Sequence, residues 1–81
     1  MALAIIEPME TFRDIIDQWG TQASLARRFD IAPGTVAQWY RRDRIPAHWW
    51  HRVAFAAKEA SIDGVTLELM ALIEDRRRLP K

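Results

Sequence analysis

The sequence predicts an all-α protein, a compact bundle of about five helices. Apolar residues recur at helical spacing in successive segments of the 81-residue chain, and Gly, Pro or a capping hydroxyl residue separates each segment from the next. No stretch alternates apolar and polar residues over a useful length, and residues 2–6 are the only segment suited to a strand. The sequence has no low-complexity linker and no internal repeat, so one small domain is expected.

The first two helices are marked by candidate caps at both ends. A helix is expected over 12–19, with Thr11 as its N-cap and Gly20 as the left-handed residue that ends it. Thr21 can cap a second helix that stops near Asp30. The apolar side chains of the first helix share one face and are Phe12, Ile15, Ile16 and Trp19.

Two prolines and a threonine mark the starts of the remaining helices. Pro33 suits the first turn of a third helix, and Pro46 opens a fourth helix of about 14 residues. Residues 42–45 are expected to form a loop, because a residue before proline is pushed out of the helical region. Thr66 can cap a last helix through about Arg78. On the fourth helix a broad apolar face includes both tryptophans, whereas Phe55 falls on the polar side.

The charge of the chain is distributed unevenly. Twelve Lys and Arg against eleven Asp and Glu leave a net charge of +1. Residues 25–58 nevertheless contain seven basic and two acidic residues, whereas residues 1–24 contain one basic and four acidic residues. A basic segment between acidic ones favours a polyanionic partner, although solvated helix faces also carry such charges.

Several classes of protein are not expected from this composition. Apolar residues make up 49% of the chain, which includes four Trp and no Cys, so neither a disordered tail nor a disulfide or zinc-finger framework is predicted. No apolar run approaches the ~20 residues that span a bilayer, and residues 1–6 lack the features of a signal peptide. We therefore expect a cytoplasmic protein, associated with the bacterial nucleoid, and no membrane contact.

Enzymatic sites are not predicted either. His48 and His51 are three residues apart, which is more typical of solvated helix positions than of a metal pair. The sequence contains no Gly-rich phosphate loop and no nucleophile elbow. A chain of this length also leaves no room for a ligand pocket of normal volume. We expect no cofactor, no metal and no small-molecule ligand.

The informative window is residues 22–41, where two short helices meet at a turn of about three or four residues, the spacing of a helix-turn-helix motif. This motif requires a small residue where the two helices cross, apolar residues on both sides of the turn, and two apolar anchors on the second helix. The residues that meet these requirements, the predicted motif core, are Ala26, Leu25, Phe29, Ile31, Val36 and Trp39.

The frame resembles the helix-turn-helix domains of the phage Cro and CI repressor group, over roughly residues 11–60. A narrower resemblance runs from Trp39 to Trp49, which is similar to a phage-derived variant with an Arg-Ile-Pro step between the recognition helix and a Trp-bearing helix. The sequence departs from the family at Asp30, where Gly with a positive φ is usual; Asp tolerates that conformation better than most residues. The resemblance implies a lambda-repressor-like domain that binds double-stranded DNA, and a phosphate contact by Gln22.

The recognition helix, about residues 33–41, offers the side chains that a major groove requires. Short residues at its start let the backbone approach, Gln38 can bond to adenine, and Ala37 can contact a thymine methyl group. The predicted base contacts are Pro33, Gly34, Thr35, Ala37 and Gln38. Two alternatives stay open, since Gln38 could be a solvated residue and Thr35 could cap or pack.

Basic residues after the recognition helix would meet the DNA backbone and supply affinity rather than sequence choice. Besides Gln22, the predicted phosphate contacts are Arg41, Arg42, Arg44 and His48.

A module this small recognises a half-site, so a homodimer on a partly palindromic operator is expected. The predicted organisation is an N-terminal arm at 1–10, the DNA-binding core at 11–60 and a dimerisation helix within 61–81. The predicted dimer interface comprises Phe55, Leu69, Met70, Leu72 and Ile73, with help from the arm. Alternatively, the last helix only closes the core of the monomer.

The expected function is repression by blocking polymerase. An activator that contacts RNA polymerase through the acidic residues Glu10, Asp14 and Asp17 is one alternative. A protein-interaction module, such as an antitoxin or an adaptor on the same fold, is the other.

Overall fold

The computed structural model describes residues 9–78, which contain five α-helices and one turn of 3₁₀-helix. The helices are α1 (Phe12–Asp17), α2 (Gln22–Phe29), α3 (Pro33–Arg42), α4 (Trp50–Glu59) and α5 (Leu67–Arg78), and the 3₁₀ turn is Ala47–Trp49. Residues 9–78 contain no strand, so the predicted all-α five-helix class is confirmed. The candidate strand at 2–6 and most of the predicted arm lie outside the described residues. None of the five helices has the length and apolar content needed to cross a bilayer.

Side-chain hydroxyls begin three of the helices, as predicted. Thr11 Oγ1 accepts the N–H of Asp14 at 3.1 Å, and the Asp14 carboxylate accepts the N–H of Thr11 in return. Thr21 Oγ1 accepts the N–H of Ser24 at 3.0 Å, and Thr66 Oγ1 accepts the N–H of Leu69 at 3.0 Å. These bonds satisfy amide groups that a helix start otherwise leaves without partners.

Left-handed residues end α2 and α3, and one lies three positions after α1, whose own C-cap Gln18 is right-handed. Gly20 follows α1 with φ +85°, and Asp30 ends α2 with φ 55° and ψ 47°. The turn of the motif is closed by a hydrogen bond from the Ile31 N–H to the Ala26 carbonyl at 3.0 Å. Asp43 ends α3 in the same conformation, with φ 53°. Asp therefore takes the left-handed position of the turn that usually requires Gly.

Three helix boundaries differ from the prediction, and one of them is Arg42, which was expected in the loop and instead ends α3. The first helix ends at Asp17 instead of residue 19, because bonds to the third preceding residue tighten its end: the Gly20 N–H donates to the Asp17 carbonyl at 3.0 Å. The predicted fourth helix begins as a 3₁₀ turn and becomes α-helical only at Trp50, whose indole N–H donates to the Ile45 carbonyl at 2.8 Å. That side-chain bond ties the start of α4 back to the loop that precedes it.

The core contains residues from every helix. Its fully buried large side chains are Phe12, Ile15, Ile16, Leu25, Val36, Ile45, Val53, Met70 and Ile73. The predicted motif residues Leu25, Ala26, Val36 and Trp39 are buried, and Phe29 and Ile31 pack against the core while partly exposed. The Trp49 ring joins three helices, because it lies 5.4 Å from the Trp39 ring and 5.5 Å from the Phe29 ring.

Helix α5 closes this core. Met70 is 0% exposed and Ile73 is 2% exposed, whereas Leu72, on the opposite side of the helix, is 52% exposed. The prediction that Met70 and Ile73 contact a second copy is therefore corrected, because both side chains are already buried within this molecule. Leu69 is partly buried against the same core.

Truncating Met70 should destabilise the protein far more than truncating Leu72. For Met70→Ala we expect a loss of about 2–5 kcal/mol in the free energy of unfolding, since the change leaves a cavity in the core. For the control Leu72→Ala on the same helix, measured at a protein concentration at which the chain is monomeric, we expect a change within about 0.5 kcal/mol. Urea unfolding followed by tryptophan fluorescence measures both, and equally small losses would show that α5 does not close the core.

Candidate nucleic-acid interface

One face of α3 is fixed in the core while the other is exposed to solvent. Val36 and Trp39 are buried. Pro33, Gly34 and Gln38 are exposed, and Thr35 and Ala37 are partly exposed. The position of a side chain at Gly34 has no atom within 4 Å, so the start of α3 is sterically open. This end of the helix can approach the base edges in a DNA groove.

The start of α3 carries no side-chain cap. Ala32 occupies the N-cap position, and the backbone N–H of Thr35 donates to the Ala32 carbonyl at 2.9 Å. Ala32, and not Thr35, is therefore the N-cap residue of α3. The Thr35 hydroxyl stays available beside Gly34.

Arginines surround the exit from α3. Arg41, Arg42 and Arg44 are all exposed. A concavity of about 340 Å³ extends from Gln38 to this exit, and it is lined by Gln38, Trp39, Arg42, Arg44, Pro46 and Ala47. The predicted base-reading amide and two predicted phosphate contacts therefore border one continuous surface. His48 is exposed on the 3₁₀ turn next to it.

Gln22 occupies the first position of α2 and is partly exposed. Within residues 9–78 its side chain makes no hydrogen bond, so its amide can be offered to a ligand. The helix dipole of α2 adds a partial positive charge at this N-terminal end.

Two arginines outside the helix-turn-helix motif hold the carboxyl end of α3. Arg13 on α1 donates to the carbonyls of Tyr40 at 2.7 Å and Arg41 at 3.0 Å. Arg77 on α5 donates to the carbonyls of Asp43 and, at 3.4 Å, Arg42. These carbonyls carry the partial negative charge of a helix end, which favours cations. We call this pair of arginines the α3 clamp.

No local pattern in the sequence indicates the α3 clamp, because its partners are 27–35 residues apart. The one available signal is that Arg13 is the sole basic residue among residues 1–24. Asp43 completes the contact by accepting the backbone N–H of Arg13 at 3.0 Å, which also caps the start of α1.

The ring of Tyr40 lies under Arg13, and its hydroxyl donates to Asp17 Oδ2 at 3.4 Å. This hydrogen bond to Asp17 is the main reason why the pKa of Tyr40 is raised above its ordinary value of 10.0. Tyr40 is therefore neutral at physiological pH and contributes no charge to the interface.

In the part of the chain that the structure describes, no three His, Asp or Glu residues come close enough together to hold a metal ion. The chemistry that this surface offers consists of amide, hydroxyl and guanidinium groups, the types that bind bases and phosphates.

A sequence model of the bacteriophage CI repressor helix-turn-helix domain matches residues 14–69. The matched segment includes the entire motif at 22–41 and ends within α5. No significant match was found among curated proteins or among solved structures.

Removing the Arg13 side chain should loosen the carboxyl end of α3. We expect Arg13→Ala to lower the free energy of unfolding by about 1 kcal/mol, because the two carbonyl bonds are solvent-exposed. Exchange of the Asp43 amide, which donates to the Tyr40 carbonyl at 3.1 Å, should become faster. The control Arg28→Ala should change stability by less than about 0.5 kcal/mol. Denaturant unfolding and hydrogen exchange measure these effects; equal behaviour of the two variants would contradict the stabilising role of Arg13.

Proposed function

This chain belongs to the family of bacteriophage CI repressor helix-turn-helix domains, and we propose that, as a DNA-binding transcription regulator, it represses by occupying a partly palindromic operator as a homodimer. In this proposal α3 enters the major groove. The bases in the groove are read by five residues of α3, which are Pro33, Gly34, Thr35, Ala37 and Gln38. The phosphates are bound by Gln22, Arg41, Arg42, Arg44 and His48.

One observation carries the proposal: the outward face of α3 leads directly into the arginine-rich exit along a single concave surface. A groove-binding helix needs groups that reach base edges and, beside them, cations for the flanking phosphates. Gln38 and Arg42 border the same concavity, so both requirements are met within a short distance. The buried Trp39 between them keeps the helix in place.

Gln38 and Arg41 should have separable effects on DNA binding. Sites selected from random duplexes provide the specific target. Gln38→Ala should weaken that complex by about 1–3 kcal/mol and leave binding to scrambled duplexes unchanged, because an amide on adenine discriminates between bases. Arg41→Ala should weaken both and reduce the slope of log K against log salt by about 0.9.

Fluorescence anisotropy over a range of salt concentrations gives both quantities. Lys58→Ala removes the same charge from an exposed position on α4 and should leave the slope unchanged. Equal losses on all duplexes for Gln38→Ala would remove Gln38 from the base-reading residues.

Repression by blocking polymerase requires no surface beyond the DNA-binding face. The activator alternative depends on free acidic groups at Glu10, Asp14 and Asp17. The Asp14 carboxylate accepts the N–H groups of Glu10 and Thr11, and Asp17 accepts the Tyr40 hydroxyl. Since two of these three acids have structural partners, we favour repression.

The competing interpretation is a protein-interaction module that retained the fold without the DNA contact. The exposure of Arg41, Arg42 and Arg44 favours DNA. Failure of the wild-type protein to bind any duplex at low salt would instead support the interaction module.

The homodimer is supported by two large apolar side chains outside the core. Phe55 on α4 is 61% exposed and Leu72 on α5 is 52% exposed. Phe55 also borders a concavity of about 460 Å³ that includes Phe29. Contiguous exposed apolar surface is typical of faces that associate, and in this proposal Phe55 and Leu72 contribute to such a surface. Two copies would place their α3 helices on half-sites about one helical turn, roughly 34 Å, apart.

Charged substitutions at these two positions should dissociate the dimer without unfolding it. Phe55→Glu and Leu72→Glu place a carboxylate where the side chain is already exposed, so circular dichroism should be unchanged. Sedimentation equilibrium should give the monomer mass for a variant that disrupts the interface, and the dimer mass for the control Lys58→Glu. Dimer mass for both variants would exclude these surfaces, and a monomeric wild-type protein on its operator would contradict the homodimer.

A further inference from the structure

An ion pair joins the DNA-binding surface to α5. Arg44 Nη2 lies 3.2 Å from Glu74 Oε2. The two side chains differ in exposure, since Arg44 is 56% exposed and Glu74 is only 15% exposed. Arg44 also lines the concavity that contains Gln38. Glu74 is therefore paired with one of the predicted phosphate-binding residues.

We infer that Glu74 limits the binding of phosphate by Arg44 and so sets the strength of the sequence-independent contact with DNA. This inference rests on the proposed function and deepens it. No motif in the sequence indicates the contact, because the two residues are 30 positions apart and Glu74 is on the helix that closes the core.

Glu74 has few other partners that could take the place of Arg44. Its second oxygen, Oε1, is buried and has no hydrogen-bond partner among residues 9–78. Arg78 approaches Oε2 only to 3.7 Å and is 74% exposed. A largely buried carboxylate is costly to leave without its counter-ion. Arg44 therefore stays paired when DNA arrives and offers phosphate only its remaining N–H groups, with most of its charge compensated.

The compensated charge has a measurable consequence in salt dependence. Each phosphate neutralised by a cation releases counter-ions and contributes about −0.9 to the slope of log K against log salt. A guanidinium that already neutralises Glu74 contributes little to that slope. Arg41 has no ion pair in the described part of the chain and should contribute in full.

The experiment compares Glu74→Gln with Glu68→Gln, which makes the same change of net charge at an exposed position in the first turn of α5. Glu74→Gln should steepen the slope by about 0.9 and tighten binding to every duplex by about three- to tenfold at 0.1 M salt. Glu68→Gln should leave the slope unchanged. The ratio of specific to nonspecific affinity should be the same in both, because no base contact changes.

Arg44 provides the internal check. In the double variant Arg44→Ala/Glu74→Gln the gain should disappear, which separates the effect from any general change in the fold. The double variant should also differ in slope from the wild-type protein much less than Arg41→Ala does, because it removes a neutral pair and leaves no buried carboxylate without its counter-ion.

Three results would overturn the inference: an unchanged slope or weaker binding for Glu74→Gln, the same steepening for Glu68→Gln, or a double variant whose slope is flattened as much as that of Arg41→Ala. In each of these cases the wild-type protein still binds duplex and the proposed function stands. Absence of duplex binding by the wild-type protein would overturn the proposed function and this inference together.

Discussion

The contact between Trp39 and Trp49 fixes the direction of α3, and the rest of the interface depends on it. The two rings lie 5.4 Å apart, and Trp49 in turn packs on Phe29 while Arg52 lies 4.8 Å above its ring. Helices α2 and α3 and the start of α4 thus meet at one aromatic cluster. Because Trp39 is anchored there, the neighbouring Gln38 faces outward, and any rotation of α3 that moved the Gln38 amide would also disrupt the aromatic cluster.

The sequence predicted the features of the fold that local chemistry determines. Thr11, Thr21 and Thr66 could be recognised as caps because each acts within three residues of itself. The left-handed turn position of Asp30 followed from the resemblance to the repressor family, together with the tolerance of Asp for that conformation. Periodicity also located the five helices. It could not tell which side of α5 faces inward, because α5 carries apolar residues on most of its circumference.

The features that the sequence did not predict are produced by distant parts of the chain. The 3₁₀ turn before α4 depends on a hydrogen bond from the Trp50 ring to the Ile45 carbonyl, and no propensity scale includes such a bond. Arg13, Arg77 and Glu74 act on residues about 30 positions away in the chain. Within the candidate interface, the outward-facing residues of α3 could be predicted from the helix-turn-helix motif. The groups that hold these residues in place could be identified only in the folded structure.

The α3 clamp places a limit on how small an autonomous DNA-reading unit can be. The segment shared with the repressor family begins at residue 14 and ends at residue 69, so it includes α2 and α3 but neither Arg13 nor Arg77. A fragment cut at those limits would keep every residue proposed to face the groove and lose both cations that hold the end of the helix. The residues proposed to recognise DNA thus lie in the middle of the chain, whereas the cations that hold the end of α3 come from the flanking helices α1 and α5.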